Sequence, residues 1–178
     1  VEYYTVQNSF NQTFVDTVRA TGGKNATRHL VVQGFNTNID HTVNFAAIPV
    51  DTVSDRLMME VHYYDPYNFT LNTNSNITQW GSIATNPNAT ETWANEAYTN
   101  AQFQKMKTHF VDQGVGVILG EFGAIVRTDV AGSDDVGCLR LQRRHLARLQ
   151  LLRNRGLQQV VGAGRPAARR RRPGKSRR

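Results

Sequence analysis

Glu121, His62 and Tyr64 have the side-chain types and the positions to form a reactive site. Glu121 follows the apolar run 115–120 and lies in Gly120-Glu-Phe-Gly123. Four of the six residues of that run are Val, Ile or Leu without polar alternation, which predicts a strand of a parallel sheet covered on both faces. Glu121 is therefore predicted at the carboxyl end of a strand, where parallel α/β folds hold their chemistry.

His62 and Tyr64 end a second predicted strand, residues 56–64, and their spacing of two places them on one face. A carboxylate beside a hydroxyl and an imidazole suits an oriented, ionised nucleophile, because hydrogen bonds to the charged form lower its pKa. Each residue taken alone has a structural interpretation. His62 fits a hydrogen-bonded histidine of the core, Tyr64 fits a packing residue, and Glu121 fits a solvated carboxylate. The three together at one rim favour a site.

Helices alternate with these strands. A first helix is predicted to end at Gly22-Gly23, and a short strand, residues 29–32, follows it. The apolar stripe of the first helix consists of Tyr3, Val6, Phe10, Phe14 and Val18. The order of helix, strand, connection, strand, helix and strand predicts a parallel sheet with right-handed crossovers.

A long polar loop and a second helix separate the last two strands. The loop runs to about Pro87 and contains Trp80, which makes it a candidate ligand wall. The helix is predicted to be capped by Thr90 or a neighbour and closed by Gly114. Its apolar face is predicted to carry Trp93, Ala97, Phe103, Met106 and Phe110.

Charge and aromatic content change abruptly near Cys138. Residues 1–138 hold 7 Lys and Arg and all 14 Asp and Glu, whereas residues 139–178 hold 14 Lys and Arg. The first part is thus net −7 and the second net +14, and no aromatic residue follows Phe122. This break predicts a domain of residues 1–138 followed by a tail of residues 139–178.

The compartment is only weakly indicated by the sequence. One cysteine allows no internal disulfide, and no apolar run reaches the ~20 residues of a membrane span. Five Asn-x-Ser/Thr sequences favour secretion weakly, since an Asn- and Thr-rich domain acquires them by chance. The first residue is Val and falls inside a predicted helix, which predicts that the true amino terminus is missing.

Several motifs together resemble glycoside hydrolase family 5, in particular its secreted endoglucanases. They are His62-Tyr-Tyr-Asp-Pro-Tyr-Asn68, Gly120-Glu-Phe-Gly123, Arg19-Ala-Thr-Gly-Gly-Lys-Asn25 and Arg28-His-Leu-Val-Val32. The resemblance covers about residues 1–137. It implies a partial (β/α)8 barrel containing strands five to seven, and an enzyme that cleaves β-1,4-glucans with retention, without a cofactor or metal.

The resemblance also implies roles for single residues. Glu121 matches the nucleophile, His62 and Tyr64 match the His-x-Tyr of the sixth strand, and Trp80 falls where relatives place a sugar-stacking aromatic. The acid/base Glu of the family lies in an Asn-Glu-Pro motif that does not occur here, and Glu2 lacks the flanking Asn and Pro. We therefore expect an incomplete, inactive copy of a monomeric, secreted endoglucanase.

The basic tail has two interpretations. The loss of acids and aromatics together with a gain of Arg, Leu, Gly and Ala is typical of a shifted reading frame, which predicts a frameshift near Cys138 and a disordered or loosely helical tail. Alternatively, 14 positive charges without an acid could bind nucleic acid or another anionic surface. The sequence favours the first interpretation, with neither nucleic acid nor membrane as a partner. The alternative function is a non-catalytic polysaccharide-binding or basic interaction protein.

Overall fold

The computed structural model describes residues 2–125; residue 1 and residues 126–178 lie outside this description. The longer elements are α1 (Glu2–Ala20), β1 (Leu30–Gln33), α2 (Ile39–Phe45), β2 (Leu57–Tyr63), α3 (Tyr67–Thr70), α4 (Glu96–His109) and β3 (Gly116–Phe122). Short 3-10 helices span Gly23–Ala26, Phe35–Thr37, Gly81–Ile83, Pro87–Ala89 and Val111–Gln113. The predicted alternation of helix and strand is confirmed, and the predictions for residues 126–178 concern the part that is not described.

The three strands form one parallel sheet in the order β1-β2-β3, as the sequence predicts. Leu30 pairs with Leu57, and Met58 pairs with Gly116, so β2 lies in the centre. The register between β2 and β3 shifts near the carboxyl end, because Val61 is opposite Leu119 whereas His62 is opposite Glu121. Gly120 is thus an extra residue, a β-bulge that moves the end of β3 by one position relative to β2.

Helices cover one face of the sheet. Met59, Val61 and Tyr63 of β2 are buried there with Phe103 and Met106 of α4. The opposite face is open among residues 2–125, since its members on β2 are only partly buried and Val31 of β1 is 38 % exposed. The prediction that β3 is covered on both faces is therefore wrong for this part of the chain, which supplies helices for a single face.

Helix α1 forms where predicted, but of the five residues of its predicted apolar stripe only Val18 packs against the core. Tyr3 and Phe10 are 70 % and 65 % exposed, and Val6 and Phe14 are exposed as well. The face that packs on the sheet instead carries Val15 and Asn11. Asn11 satisfies its buried amide by donating from Nδ2 to the carbonyl of Gln33, so a polar residue occupies a core position that apolar periodicity cannot identify.

Helix α4 begins later than predicted. Asn95, rather than Thr90, caps it by accepting hydrogen bonds from the backbone N–H groups of Ala97 and Tyr98. Trp93 precedes the helix and is 52 % exposed, so it does not belong to the buried face. Within residues 2–125 no helix combines the length and the apolar character needed to cross a bilayer.

A buried ion pair ties the end of α1 to the segment that leads into β2. Arg19 donates from Nε and Nη2 to the two carboxylate oxygens of Asp51 at 2.8 and 2.7 Å, and from Nη1 to the carbonyls of Asn25 and Arg28. Both side chains are about nineteen-twentieths buried. The hydrogen bond from Arg19 holds the pKa of Asp51 below its usual value.

We predict that Asp51→Asn destabilises the fold at pH 7 and that the loss shrinks in acid. A carboxyl whose pKa is lowered by folding contributes stability above its unfolded pKa of about 4. That contribution is lost as the pH falls through the folded-state value, because protonation then breaks the same ion pair. Urea unfolding of parent and variant at pH 7 and pH 3 tests this. Asp16→Asn, an exposed change on the same helix, should show no such pH-dependent difference.

Candidate functional site

The fold brings together the three residues that the sequence singles out. Nδ1 of His62 lies 3.3 Å from Oε2 of Glu121, and the hydroxyl of Tyr64 donates to the same oxygen at 3.2 Å. The Glu121 side chain is 58 % exposed and the His62 side chain 22 %. One carboxylate oxygen is therefore held by two neighbours while the carboxylate still faces solvent.

The geometry follows from strand alternation and the bulge. His62 and Tyr64 lie on the open face of the sheet because the residues between and before them, Tyr63 and Val61, point into the core. The extra residue Gly120 places Glu121 directly opposite His62. Without this shift, Glu121 would pair one position later along β2.

The Tyr64 phenol is electrostatically coupled to this carboxylate. Partial burial raises the pKa of Tyr64, and the hydrogen bond to Glu121 and the negative charge of Glu121 raise it further. Both effects of Glu121 have the same sign, because a carboxylate stabilises the protonated phenol and disfavours a second anion. Tyr64 is therefore a neutral hydrogen-bond donor at any physiological pH.

Glu60 is a site residue that the sequence analysis passed over. Its Oε1 lies 3.3 Å from Nε2 of His62, on the side of the ring opposite Glu121. The spacing of Glu60, His62 and Tyr64 at every second residue of one strand was the available signal, since all three must share a face.

A polar cleft of about 450 Å³ opens beside the carboxylate cluster. It is lined by His62 and Tyr64 and by the loop after β1, including Asn36 and Thr37. Both of these residues have a positive φ, 61° and 52°, which is uncommon outside glycine and concentrates at functional sites. The cleft can hold a polar ligand beside His62 and Tyr64, the two residues that contact Glu121.

Asp65, together with Asp40, supplies the carboxyl groups in the lining of this cleft. Burial raises the pKa of Asp65, although the Tyr98 hydroxyl donates to its Oδ2 at 3.4 Å and counteracts the shift. Tyr98 also accepts a hydrogen bond from Gln102 at 2.8 Å. Asp65 is thus held by the α4 side of the cleft.

Trp80 does not lie where a sugar-stacking residue must lie. Its side chain is 1 % exposed and packs with Phe69, Ala124 and Ile77 in a small second core. Neither face of the indole is open to a ligand, because those faces supply the apolar contacts that anchor the long loop. The sugar-stacking role expected for Trp80 is therefore replaced by a structural one.

Metal binding has no support in this part of the protein. Among residues 2–125 no group of three or more His, Cys, Asp and Glu side chains is arranged to hold a metal ion. The cluster instead forms a chain of polar contacts, with hydrogen bonds between Glu60 and His62 and between Tyr64 and Glu121 and a 3.3 Å approach between His62 and Glu121. Such a chain can orient a carboxylate nucleophile.

Comparison with known proteins points to one family. The sequence model of the family described as Cellulase (glycosyl hydrolase family 5) matches residues 2–161. This match extends beyond Cys138 and does not separate residues 1–138 from residues 139–178. The domain boundary near Cys138 therefore stays a prediction. Endoglucanase A of Paenibacillus barcinonensis is 45 % identical over 143 residues, which are 75 % of this chain and 36 % of that protein.

Solved structures give the same result. A broad-specificity endoglucanase of Bacteroides salanitronis superposes with a TM-score of 0.76 at 40 % identity, over 82 % of this chain and 38 % of that one. A family 5 xyloglucanase of Paenibacillus pabuli superposes with a TM-score of 0.72 at 46 % identity, over 76 % of this chain and 41 % of that one. The chain therefore spans about two-fifths of the length of these relatives.

We predict that Glu121→Gln lowers the pKa of Tyr64. The substitution removes the negative charge that raises the pKa, whereas the contribution of burial remains, so the value should fall without reaching that of a free tyrosine. The ¹³Cζ shift of Tyr64 followed against pH measures this directly. Glu91→Gln, which removes a carboxylate paired with Asn68 in the long loop, should leave the titration unchanged.

We predict that Trp80→Ala destabilises the fold by about 3–5 kcal/mol, the usual cost of removing a large buried aromatic. Trp93→Ala, at the half-exposed tryptophan of the same segment, should cost far less. Thermal or urea unfolding provides the measurement. If Trp80→Ala left stability unchanged and instead weakened binding of a soluble β-glucan, the structural assignment would be wrong.

Proposed function

The chain belongs to glycosyl hydrolase family 5, and we propose that Glu121 is the nucleophile of a retaining endo-β-1,4-glucanase reaction in which His62 and Tyr64 orient it. The observation that carries this proposal is the pair of contacts to Oε2 of Glu121 at 3.3 and 3.2 Å. They hold one oxygen of a side chain that is 58 % exposed, so the other oxygen is left to approach a substrate. A nucleophilic carboxylate needs this combination of fixed orientation and access.

The reaction has two displacement steps. First, an oxygen of Glu121 attacks the anomeric carbon, the bond from that carbon to the glycosidic oxygen breaks, and the leaving oxygen receives a proton from a general acid. Then water attacks the same carbon, the glycosyl ester breaks to regenerate the carboxylate, and the proton of water passes to the conjugate base of the acid. His62 and Tyr64 act in both steps by stabilising the ionised form of Glu121.

We propose that the general acid is not among the described residues. Retaining chemistry requires a second carboxyl group ~5–5.5 Å from the nucleophile, on the other side of the scissile bond. Glu60 is separated from Glu121 by the His62 ring and is bound to it, so it does not face the substrate side. The Asn-Glu-Pro motif is also absent from the sequence. We therefore propose that this chain carries the nucleophile of the site and does not hydrolyse glucans by itself.

The substrate class follows from the relatives. Their names include endoglucanases of Paenibacillus barcinonensis and Ruminococcus albus and a xyloglucan-specific endo-β-1,4-glucanase of Bacteroides ovatus. The shared element of these substrates is a β-1,4-linked glucan backbone, which we propose as the ligand of the cleft. Because such polysaccharides lie outside cells, we propose that the parent enzyme is secreted.

We predict that the chain forms a covalent adduct at Glu121 with an aryl 2-deoxy-2-fluoro cellobioside that carries a dinitrophenolate leaving group. This leaving group departs without a proton, so attack by Glu121 does not need the missing acid. Peptide mass mapping should find one label per chain, on the peptide that contains Gly120-Glu-Phe-Gly123. Glu121→Gln should abolish labelling, and Glu91→Gln should label like the parent.

The same preparation should release no reducing sugar from a soluble β-glucan, since general acid catalysis typically contributes a ~10²–10⁴-fold acceleration. A label on another carboxylate, or no label on a folded chain, would contradict the assignment of Glu121. Robust turnover of the glucan would show that the chain contains a general acid, and the proposal of an incomplete site would fail.

A further inference from the structure

Tyr67 is an exposed aromatic residue in the lining of the polar cleft. It is 60 % exposed and is the first residue of α3. The other side of this short helix is anchored, because Phe69 is buried in the second core and the buried Thr70 hydroxyl donates to the carbonyl of Tyr64. The backbone that carries Tyr67 is thus fixed on its buried side, while Tyr67 itself is open to solvent.

Two carboxylates, those of Asp40 and Asp65, line the same cleft, and within residues 2–125 no Lys or Arg side chain lines it. The Asp40 side chain is 49 % exposed. Its Oδ1 accepts from Nζ of Lys105 at 2.6 Å and its Oδ2 from Nε2 of Gln102 at 3.5 Å. Both donors belong to α4. A carboxylate has about four acceptor positions, so Asp40 can still accept hydrogen bonds from a ligand.

The negative charge of this lining is only partly balanced. Lys105 pairs with Asp40, whereas the group that donates to Asp65 from α4 is the neutral hydroxyl of Tyr98. Burial raises the pKa of Asp65 and the charge of Asp40 raises it further, while Tyr98 and Lys105 counteract this. The two carboxylates are therefore close enough to repel each other, and a carboxylate on a ligand would be repelled by both.

A neutral pyranose is chemically matched to these features. Its hydroxyl groups can donate to the carboxylates, and hydrogen bonds to an ionised acceptor are stronger than neutral ones. The hydroxyls of β-glucose are equatorial, so the two faces of its ring present C–H groups that pack on an aromatic side chain such as Tyr67. A sugar acid of the same shape would bring a like charge toward Asp40 and Asp65, which is costly.

We propose that the cleft is a subsite for a neutral glucan unit, in which Tyr67 packs on the sugar face and Asp40 and Asp65 exclude carboxylated sugars. This inference rests on the proposed function, because it specifies which β-1,4-linked chains reach that site. Asp40 and Asp65 are specificity-determining residues. They accept hydrogen bonds from the hydroxyls of a neutral unit and repel the C6 carboxylate of a uronic acid unit.

The first test compares two oligosaccharides of equal length and linkage, cellotetraose and its β-1,4-linked glucuronic acid counterpart. Each is titrated into the whole ¹⁵N-labelled chain and followed by NMR. Cellotetraose should shift the backbone amides of Asn36 and Thr37, which line the cleft. The acid should bind at least ~10-fold more weakly at low salt, since like-charge contacts cost on the order of a factor of ten or more. Added salt should reduce the difference, because it screens the repulsion.

Three results of this test would overturn the proposal. They are equal affinities for the two oligosaccharides at low salt, shifts confined to residues outside the cleft, and failure of the folded chain to bind cellotetraose.

The second test removes the charges one at a time. Asp40→Asn and Asp65→Asn retain a side chain of the same shape, and each should move the ratio of the two dissociation constants toward one. Asp112→Asn is the matched control, because Asp112 is 47 % exposed and pairs with Lys107 of α4. Asp112 precedes β3 and thus lies at the end of the parallel sheet opposite the cleft.

The control variant should retain the parental ratio of dissociation constants. If Asp112→Asn changed the ratio as much as Asp40→Asn and Asp65→Asn do, the discrimination would follow from the net charge of the chain. The assignment to the cleft would then fail.

The third test concerns the aromatic residue. Tyr67→Ala should weaken binding of both oligosaccharides by a similar factor, so the ratio should stay parental, and the free energy of unfolding should change little because Tyr67 is exposed. Phe10→Ala removes an aromatic residue of similar exposure from α1, outside the cleft lining, and should leave both affinities unchanged. Parental affinities in Tyr67→Ala would remove Tyr67 from the subsite.

These tests separate the inference from the proposed function. Discrimination that depends on Asp40 and Asp65, together with a fluoro cellobioside label on a carboxylate other than Glu121, would support the subsite and remove Glu121 as the nucleophile. A label on Glu121, together with equal binding of the two oligosaccharides, would retain the proposed function and overturn this inference.

Discussion

The register shift between β2 and β3 is the constraint on which the candidate site depends. Because Gly120 is an extra residue, Glu121 lies opposite His62, and the space above Gly120 admits Glu60. One backbone irregularity thus aligns three consecutive contacts, from Glu60 through His62 to Glu121 and Tyr64. Bulges are known to redirect side chains next to active sites, and here the redirected side chain is the carboxylate itself.

Sequence patterns predicted the elements better than the faces they bury. The position of His62 and Glu121 at strand ends could be predicted from the sequence, because the apolar runs stop there. Parallel strands bring such ends to one edge of the sheet. The bulge could not be predicted, since no local sequence pattern indicates how two strands that are distant in the chain are aligned. The sugar-stacking role predicted for Trp80 was wrong for a related reason. The sequence of a loop does not indicate that one of its residues is buried in a second hydrophobic core.

Helix α1 shows a different limit of periodicity. Its stripe of Tyr3, Val6, Phe10 and Phe14 is apolar and yet exposed, whereas its core face contains the hydrogen-bonded Asn11. The face of the sheet opposite the helices is also open in the described residues. Large contiguous patches of exposed apolar surface are common at interaction sites. In relatives about two and a half times as long, further chain is available to pack against such surfaces.

The proposed nucleophile is held by a small part of the fold and stays exposed on the open face. Glu121 is held by residues of its own and the adjacent strand, so its support needs only one strand pair. A general acid must instead approach from across the substrate, at a distance fixed by parts of the barrel that are far apart in sequence. Orientation of the proposed nucleophile is thus a local property of β2 and β3, whereas the placement of a general acid depends on the rest of a barrel.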